Sequence, residues 1–533
     1  MFIKQDNCTS IKQVIERNTG MNIDVFLSPP ENPSLHNLDK AVKCLREHIH
    51  ESIHIIGDYD VDGICATAIL YLGLKRVGIH AKTRLPRRQS EGYGLSEKII
   101  DEINSGIVIT VDNGIAAKSA IRKAKEKGLT VIVIDHHLAP RDEKTGERIL
   151  PDADVLLDPN AEDISEYKQY CGAGLAYRFI KTFTPDIYLI DLLILASIAT
   201  VGDMVELTGA NRELVRQGLL AINQNVNLSG LPGLKLLLEQ IQLTNGITED
   251  DYGYKICPIF NASGRIFDNG SEKVLEVLKA TKETPFLVSL VEEICTNNEK
   301  RKELVKKAMP VAKRLAHNKR PIVIYHPSFH EGIIGIIAGN LAEEYQCPVI
   351  VFTQTHNGNL KGSGRSVPGI HLKNTLDKIQ KHIIGYGGHE GAAGLTIKGG
   401  TLEVFREVFS EACGTIQEKT DDVYYDIVLT QSKLKNCMEE LKIYAPFGQG
   451  NPKPKLYIEF IVNKNYQRVG DGSHMMIKGN SLTLLGFNLA KKYEDLGRPN
   501  YIACIGDLME DWFNGKCTIK FLMDDFEELK KNK

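Results

Sequence analysis

The 533-residue sequence has one tryptophan, no long hydrophobic run, almost no net charge and no paired-cysteine motif. Each shortage excludes something. The 65 Lys and Arg against 68 Asp and Glu leave a formal charge of −3, which excludes a uniformly basic nucleic-acid coat. A polyanion has to be met at a local patch or through metal. The eleven cysteines (8, 44, 65, 171, 257, 295, 347, 413, 437, 504, 517) form no CxxC pair and no zinc-like cluster. They read as reduced thiols of an intracellular, cytoplasmic protein. Met1-Phe2-Ile3-Lys4-Gln5-Asp6 carries no signal-type apolar stretch and is not the Arg- and Ser-rich kind used for organelle import. The most apolar stretch, Ile187 to Val201, is interrupted by Asp191 and too short for a bilayer; it reads as a buried core helix. What remains is ordinary globular composition, 42% hydrophobic and 25% charged, in a chain long enough for about three or four domains.

Strand–helix alternation marks the first unit. Ile53-His54-Ile55-Ile56, Ile107 to Val111 and Val131 to Ile134 are β-branched runs of strand length, while Ile64 to Val77 and Ile115 to Lys127 have helical spacing. The pattern predicts a parallel, doubly wound sheet over 46–215, preceded by an N-terminal extension over 1–45. A helical connector follows over 216–318, ending in Asn297 to Arg320, with nine Lys or Arg and two Glu. That basic run is either a strand-holding channel or the wet face of a connecting helix. A second α/β unit is expected over 319–416, glycine-rich between 358 and 394. Beyond it, over 421–533, strand-like runs and an Asn514-Gly515 hairpin signal predict a small β-barrel.

The chemistry-bearing residues sit directly after strands. Asp58, Asp60 and Asp62 alternate after the first strand, Asp112 follows the second, and Asp135-His136-His137 follows the third. In an open parallel sheet these strand ends share one crevice, where ligands bind. Massed carboxylates there would take up protons or need a cation between them. Carboxylates with one or two imidazoles suit Mn²⁺ or Mg²⁺, and two such ions suit in-line displacement at phosphorus. Asp203, after the buried helix, is the candidate that closes the cluster.

These residues resemble a known family. Asp58-Tyr59-Asp60-Val61-Asp62-Gly63, Val111-Asp112-Asn113-Gly114, Asp135-His136-His137 and Gly202-Asp203-Met204 look like the four ordered motifs of the DHH phosphoesterase superfamily. Asn261-Ala262-Ser263-Gly264-Arg265 is similar to an element of the RecJ single-strand exonucleases. His330 to Ile336, Gly362 to Ser366 and Gly387 to Gly394 match their DHH-associated domain, and Pro446 to Pro452 looks like the start of their oligonucleotide-binding barrel. The resemblance runs from about residue 30 to 533 in order. It implies an α/β fold: a parallel-sheet DHH domain, a helical connector, a DHH-associated α/β domain and a C-terminal OB-like barrel.

The resemblance also implies roles. Asp60, Asp62, Asp112, His136 and Asp203 would hold two Mn²⁺ or Mg²⁺ ions, with Asp58 and His137 as further ligands and Asp135 orienting a histidine. Ser363 and Arg365 would contact the terminal phosphate, Arg88 would join them at the 5′ end, Asn261 and Arg265 would bind substrate, and His389 would sit on the scissile phosphate. Of the aromatics able to stack bases, Trp512, Phe513 and Tyr466 are available. The implied activity is 5′→3′ hydrolysis of single-stranded DNA to mononucleotides in recombination and repair. Single-strand-binding protein and a helicase are the implied partners, with no membrane. Rival readings are a DHH-type phosphodiesterase on short oligonucleotides or cyclic dinucleotides, a manganese pyrophosphatase, and a catalytically silent DNA-binding scaffold. The appended domain argues against the first two, and the full set of metal-motif residues argues against the last.

Overall fold

The computed structural model describes residues 1–28, 32–142, 145–317, 319–416, 422–462, 465–479, 482–513 and 516–529. Five strands form the first sheet, all parallel, in the order Ala81–Arg84, Ile53–Ile56, Ile107–Val111, Thr130–Ile134, Val155–Leu157, and the three central ones are rich in β-branched residues. Ile107–Val111 is buried at every position, as expected for a strand covered by helices on both faces. From Ile53–Ile56 the chain moves to the edge strand Ala81–Arg84, then returns to Ile107–Val111 on the other side. The sheet therefore changes winding direction between these two strands, and a crevice opens beyond their carboxyl ends.

Helix Val61–Arg76 is buried along most of its length and packs on Gly172–Phe183 and Ile190–Gly202. The last of these is the apolar stretch, buried from Asp191 to Thr200. One core continues through the following helices to Ile294, so the expected boundary at 215/216 has no counterpart in the packing. Leu234, Leu237, Tyr252 and Phe260 belong to the same apolar interior as the sheet. The bridging element is one 32-residue helix, Pro285–Ala316, about 48 Å long at 1.5 Å per residue. Its start joins the first core, and Ala312 and Ala316 join the second.

The second unit is a five-stranded mixed sheet, ordered Gly385–Gly388, Ala392–Ile397, Leu360–Arg365, Val349–Gln354, Ile322–Tyr325. The C-terminal unit is a seven-stranded sheet dominated by the antiparallel pair Tyr501–Phe513 and Lys516–Glu528. The expected turn pair, Asn514-Gly515, and the side chains of Trp512 and Phe513 lie outside the described residues. Residues 1–45 are not a separate extension. Phe2–Lys4 pairs in parallel with Val423–Tyr425, and Ile11, Ile15, Ile23 and Phe26 enter the C-terminal core. Leu38–Glu47 packs instead into the first core. These short helices have apolar faces too small to be stable alone, so each is built into a neighbouring domain. Among the described residues no helix is long and apolar enough to cross a membrane.

Candidate metal centre and phosphate site

The loop after Ile53–Ile56 turns straight into helix Val61–Arg76, and its carboxylates are held by backbone N–H groups. Asp60 caps the helix, its Oδ1 accepting from Asp62 N (3.1 Å) and Gly63 N (3.2 Å). Gly63 has to be glycine, because a Cβ would lie 2.5 Å from Asp58 N. Asp62 accepts from Gly172 N (2.6 Å) and Ala173 N (2.8 Å), which puts its charge at the positive end of helix Gly172–Phe183. Asp58 is fully buried; one oxygen accepts from Gly94 N (3.3 Å), and Oδ2 has no hydrogen-bond partner.

Asp112 sits in the left-handed region at φ 59°, and its carbonyl accepts from the Tyr93 hydroxyl at 3.0 Å. His136 Nε2 is 3.1 Å from Asp112 Oδ1, 3.6 Å from Asp203 Oδ2 and 3.7 Å from Asp62 Oδ2. Asn160 secures that histidine by donating to its carbonyl at 2.6 Å. His137 Nδ1 lies 2.8 Å from Asp135 Oδ1. The seven expected ligands thus converge. They form three overlapping groups whose ligating atoms lie within 4.8 Å of one another: Asp58, Asp60 and Asp112; Asp62, His136 and Asp203; and Asp112, His136 and His137.

This packing costs electrostatic energy. Burial and the neighbouring carboxylates push Asp58, Asp60, Asp112 and Asp203 above the usual carboxylate range. Burial and the adjacent His137 lower His136. Burial works to lower His137 as well, but its hydrogen bond and charge pairing with Asp135 raise it to about 9. Asp135 therefore orients His137. The cluster fits divalent cations: its donors are hard, its charges repel, and the buried Asp58 Oδ2 is unpartnered.

Facing the carboxylates is a cationic cluster. Burial, with the charges of Arg88, Arg365 and Arg301, lowers Arg265 to about 9. Burial and Arg88 also lower Arg365. Among the described residues none of these four arginines makes an ion pair with a carboxylate. Arg88 stacks on the Tyr59 ring, 4.7 Å from its centroid, and Arg301 is steadied by Asn298 Oδ1 at 3.1 Å. Arg301 was invisible as an individual residue in the basic run. Its signal was position: it lies one turn from Asn297 and Asn298, polar residues buried on the inward face of that helix. The outward side of the run is solvated, with Lys302 paired to Glu299 and Lys307 to Glu303.

Antiparallel pairing sets Arg365 opposite Ala392, three residues from His389, so both reach the same crevice. The His389 ring stacks 6.4 Å from His137 at 20°, while burial, His137 and His371 lower its basicity. Glycines let the second domain approach. A Cβ on Gly332 would overlap the Arg265 carbonyl, and one on Gly335 would lie 3.0 Å from Ser363 Oγ and 3.5 Å from an Arg365 nitrogen. Two of the residues named from sequence also have partners within the protein. Asn261 is engaged structurally, its Oδ1 accepting from Val61 N at 2.9 Å, because the helix start carrying Asp60 and Asp62 needs that acceptor. Tyr466 is tied down by Glu494 (2.9 Å) and packed on Tyr493. Tyr93, missed as a site residue, also places its hydroxyl 3.2 Å from His137 Nε2.

The chain matches the DHH family, N-terminal domain, over residues 52–200, the DHHA1 domain over 318–415 and the RecJ OB domain over 425–525. It is 32% identical over 461 residues to the single-stranded-DNA-specific exonuclease RecJ of Salmonella typhimurium, covering 79% of this chain and 77% of that one. The chain belongs to the RecJ family. A second RecJ, from Haemophilus influenzae, is 30% identical over 562 residues, covering 95% of this chain and 93% of its own. The crystal structure of RecJ in complex with Mn²⁺ from Thermus thermophilus superimposes with a TM-score of 0.80 at 25% identity, covering 97% of this chain and 76% of that chain. The RecJ-family architecture expected from sequence, two α/β domains and an OB domain, is the one observed.

Proposed function

We propose that this chain is a metal-dependent 5′→3′ exonuclease that hydrolyses single-stranded DNA to mononucleotides in recombination and repair. The observation that carries the reading is the convergence, across two domains, of a carboxylate–imidazole cluster with four arginines that have no acidic partner among the described residues. Arginines in that state are an anion site, and the planar guanidinium matches phosphate.

Asp58, Asp60 and Asp112 would hold one Mn²⁺ or Mg²⁺ ion, and Asp62, His136 and Asp203 a second, with His137 beside them. Bound there, the pair supplies Lewis acidity for in-line displacement at phosphorus. The protein's own groups do the rest. Arg88, Arg265, Arg301, Arg365 and Ser363 bind the 5′-terminal phosphate, fixing how far the strand enters. His389, held neutral by burial and by His137, donates a hydrogen bond to the scissile phosphate from the second domain. Asp135 keeps the proton on His137 Nδ1. The C-terminal domain binds the incoming strand. In the cell, single-strand-binding protein and a helicase present that strand in the cytoplasm.

The test is digestion of a 3′-labelled, 5′-phosphorylated strand of about 40 nucleotides in Mn²⁺, a length that spans several OB-type sites. Its duplex and a dinucleotide run alongside, each with wild-type and Asp112→Ala protein. Stepwise shortening of the single strand alone, lost in Asp112→Ala, is the expected result. Cleavage of the dinucleotide with the long strand intact would move the protein to the small-substrate phosphodiesterases. Strand binding without cleavage would make it a scaffold.

A further inference from the structure

The turn that opens the C-terminal domain is seated on the segment that carries Asp203. Asp203 ends helix Ile190–Gly202, and four residues later the amide of buried Leu207 donates to the Gln449 carbonyl at 2.7 Å. Gly448 faces the Leu207 side chain so closely that a Cβ would lie 2.8 Å from Cδ1, and a Cβ on Gly450 would lie 3.1 Å from the Glu206 Cβ. Two further side chains of the catalytic domain grip the same turn by its backbone. Glu249 Oε1 accepts from Phe447 N at 2.8 Å. Arg212, 2% exposed, donates to the carbonyls of Ile443 and Ala445, both at 2.9 Å, and its guanidinium lies 4.4 Å over the Phe26 ring. The turn itself is stiff: buried Asn451 donates to the carbonyls of Tyr444 and Pro446.

The other side of the segment is anchored in the catalytic domain. Tyr167 donates to the Thr208 carbonyl at 2.8 Å, and Asn211 donates to those of Gln169 and Glu206. Residues 203–212 are therefore clamped between the stretch leading to Gly172, which holds Asp62, and the turn 443–452.

We propose that the turn 443–452 is a positioning element of the metal centre, with Glu249 and Arg212 as the positioning residues that keep Asp203 in ligand geometry. Asp62 and His136 are secured within the first domain. Asp203 ends a helix, is followed by Met204 at a positive φ of 58° and 73% exposure, and depends on an interdomain contact. The C-terminal domain thus acts on the cation group that contains Asp203 and leaves the group of Asp58, Asp60 and Asp112 alone. This rests on the metal reading above.

The experiment is a Mn²⁺ titration of the full chain without DNA, followed by electron paramagnetic resonance and calorimetry. Wild type, Glu249→Ala and Glu249→Gln are compared, with amide exchange over 443–452 as a control. In Glu249→Ala the turn exchanges faster and one of two Mn²⁺ events weakens by about tenfold, the scale of one lost hydrogen bond to a charged acceptor. The other event stays unchanged. Glu249→Gln, which keeps an acceptor oxygen, restores most of the affinity. Should Glu249→Ala fail to fold, Gly448→Ala perturbs the seat from the opposite side, and the same single-site weakening is expected. Two wild-type Mn²⁺ events in a variant whose turn has loosened would overturn the proposal. No Mn²⁺ binding by wild type would instead overturn the metal reading itself.

Discussion

The Asp62 carboxylate docks on the backbone amides of Gly172 and Ala173, at 2.6 and 2.8 Å, joining the first acidic motif to a helix 110 residues away. Gly172 is held to glycine by this approach, since a Cβ would lie 2.6 Å from the Asp112 Cβ and 3.0 Å from Asp62 Oδ2. Gly172→Ala therefore displaces two carboxylates of the candidate metal centre at once. Steady-state digestion of single-stranded DNA should show kcat/KM down by about a hundredfold, the scale of an ångström-level misplacement. Strand binding measured without metal should be unchanged.

Asp112 is the carboxylate most surrounded by others, with Asp62, Asp60, Asp203 and Asp58 all raising it after burial. Asp112→Ala should lower the hydrolysis rate by about a thousandfold or more, roughly 4 kcal/mol of barrier. Without divalent ions, Asp112→Asn should be neutral or stabilising, because one of several repelling charges is gone. With Mn²⁺ at about a hundred times its Kd, wild type should gain about 2.7 kcal/mol and the variant much less. Thermal melts with and without Mn²⁺ check both signs.

Arg301 sits with the buried arginines on the side away from its solvated helix face. Arg301→Leu should raise KM for a 5′-phosphorylated strand by about 10- to 100-fold, the range of one charge-assisted hydrogen bond. A 5′-hydroxyl strand should be affected far less, and kcat should hold. Equal losses on both substrates would remove Arg301 from the terminal-phosphate site.

The N-terminal segment is a structural part of the C-terminal domain. Phe26 is fully buried there, so Phe26→Ala should cost about 3–5 kcal/mol of that domain's stability, read by amide exchange in the seven-stranded sheet.

Arg17 bridges Asp6 and Asp426, each at 2.6 Å, and its hydrogen bond lowers the Asp6 carboxyl to about 2. A carboxyl lowered on folding stabilises above its unfolded value of 3.8. That contribution is lost as pH falls from about 4 to about 2. Proteolysis of the first residues should accelerate across that window in wild type, and already at neutral pH in Asp6→Asn.

Much of the carboxylate–imidazole cluster was legible because its residues are local. Asp58, Asp60 and Asp62, Asp112, and Asp135 to His137 each follow a β-branched run directly, and parallel strands bring their ends together whatever the intervening helices do. The same holds for Arg365 and His389, whose glycine-rich surroundings mark close backbone approach. What Asn261 Oδ1 accepts was not legible, because its motif shows that the residue matters without showing that the start of helix Val61–Arg76 donates to it.

The sequence by itself determined the order of domains, the acidic strand ends and the chemistry they suit, since these depend on periodicity and residue type over short spans. Only the tertiary structure decided that residues 1–28 complete the C-terminal domain, that helices up to Ile294 share the first core, and that Arg301 turns inward. It also decided that the Asp203 segment is gripped by a turn some 240 residues further on. Those contacts join amphipathic faces and backbone groups across long separations, and a short window of sequence shows that a face exists without showing which partner buries it.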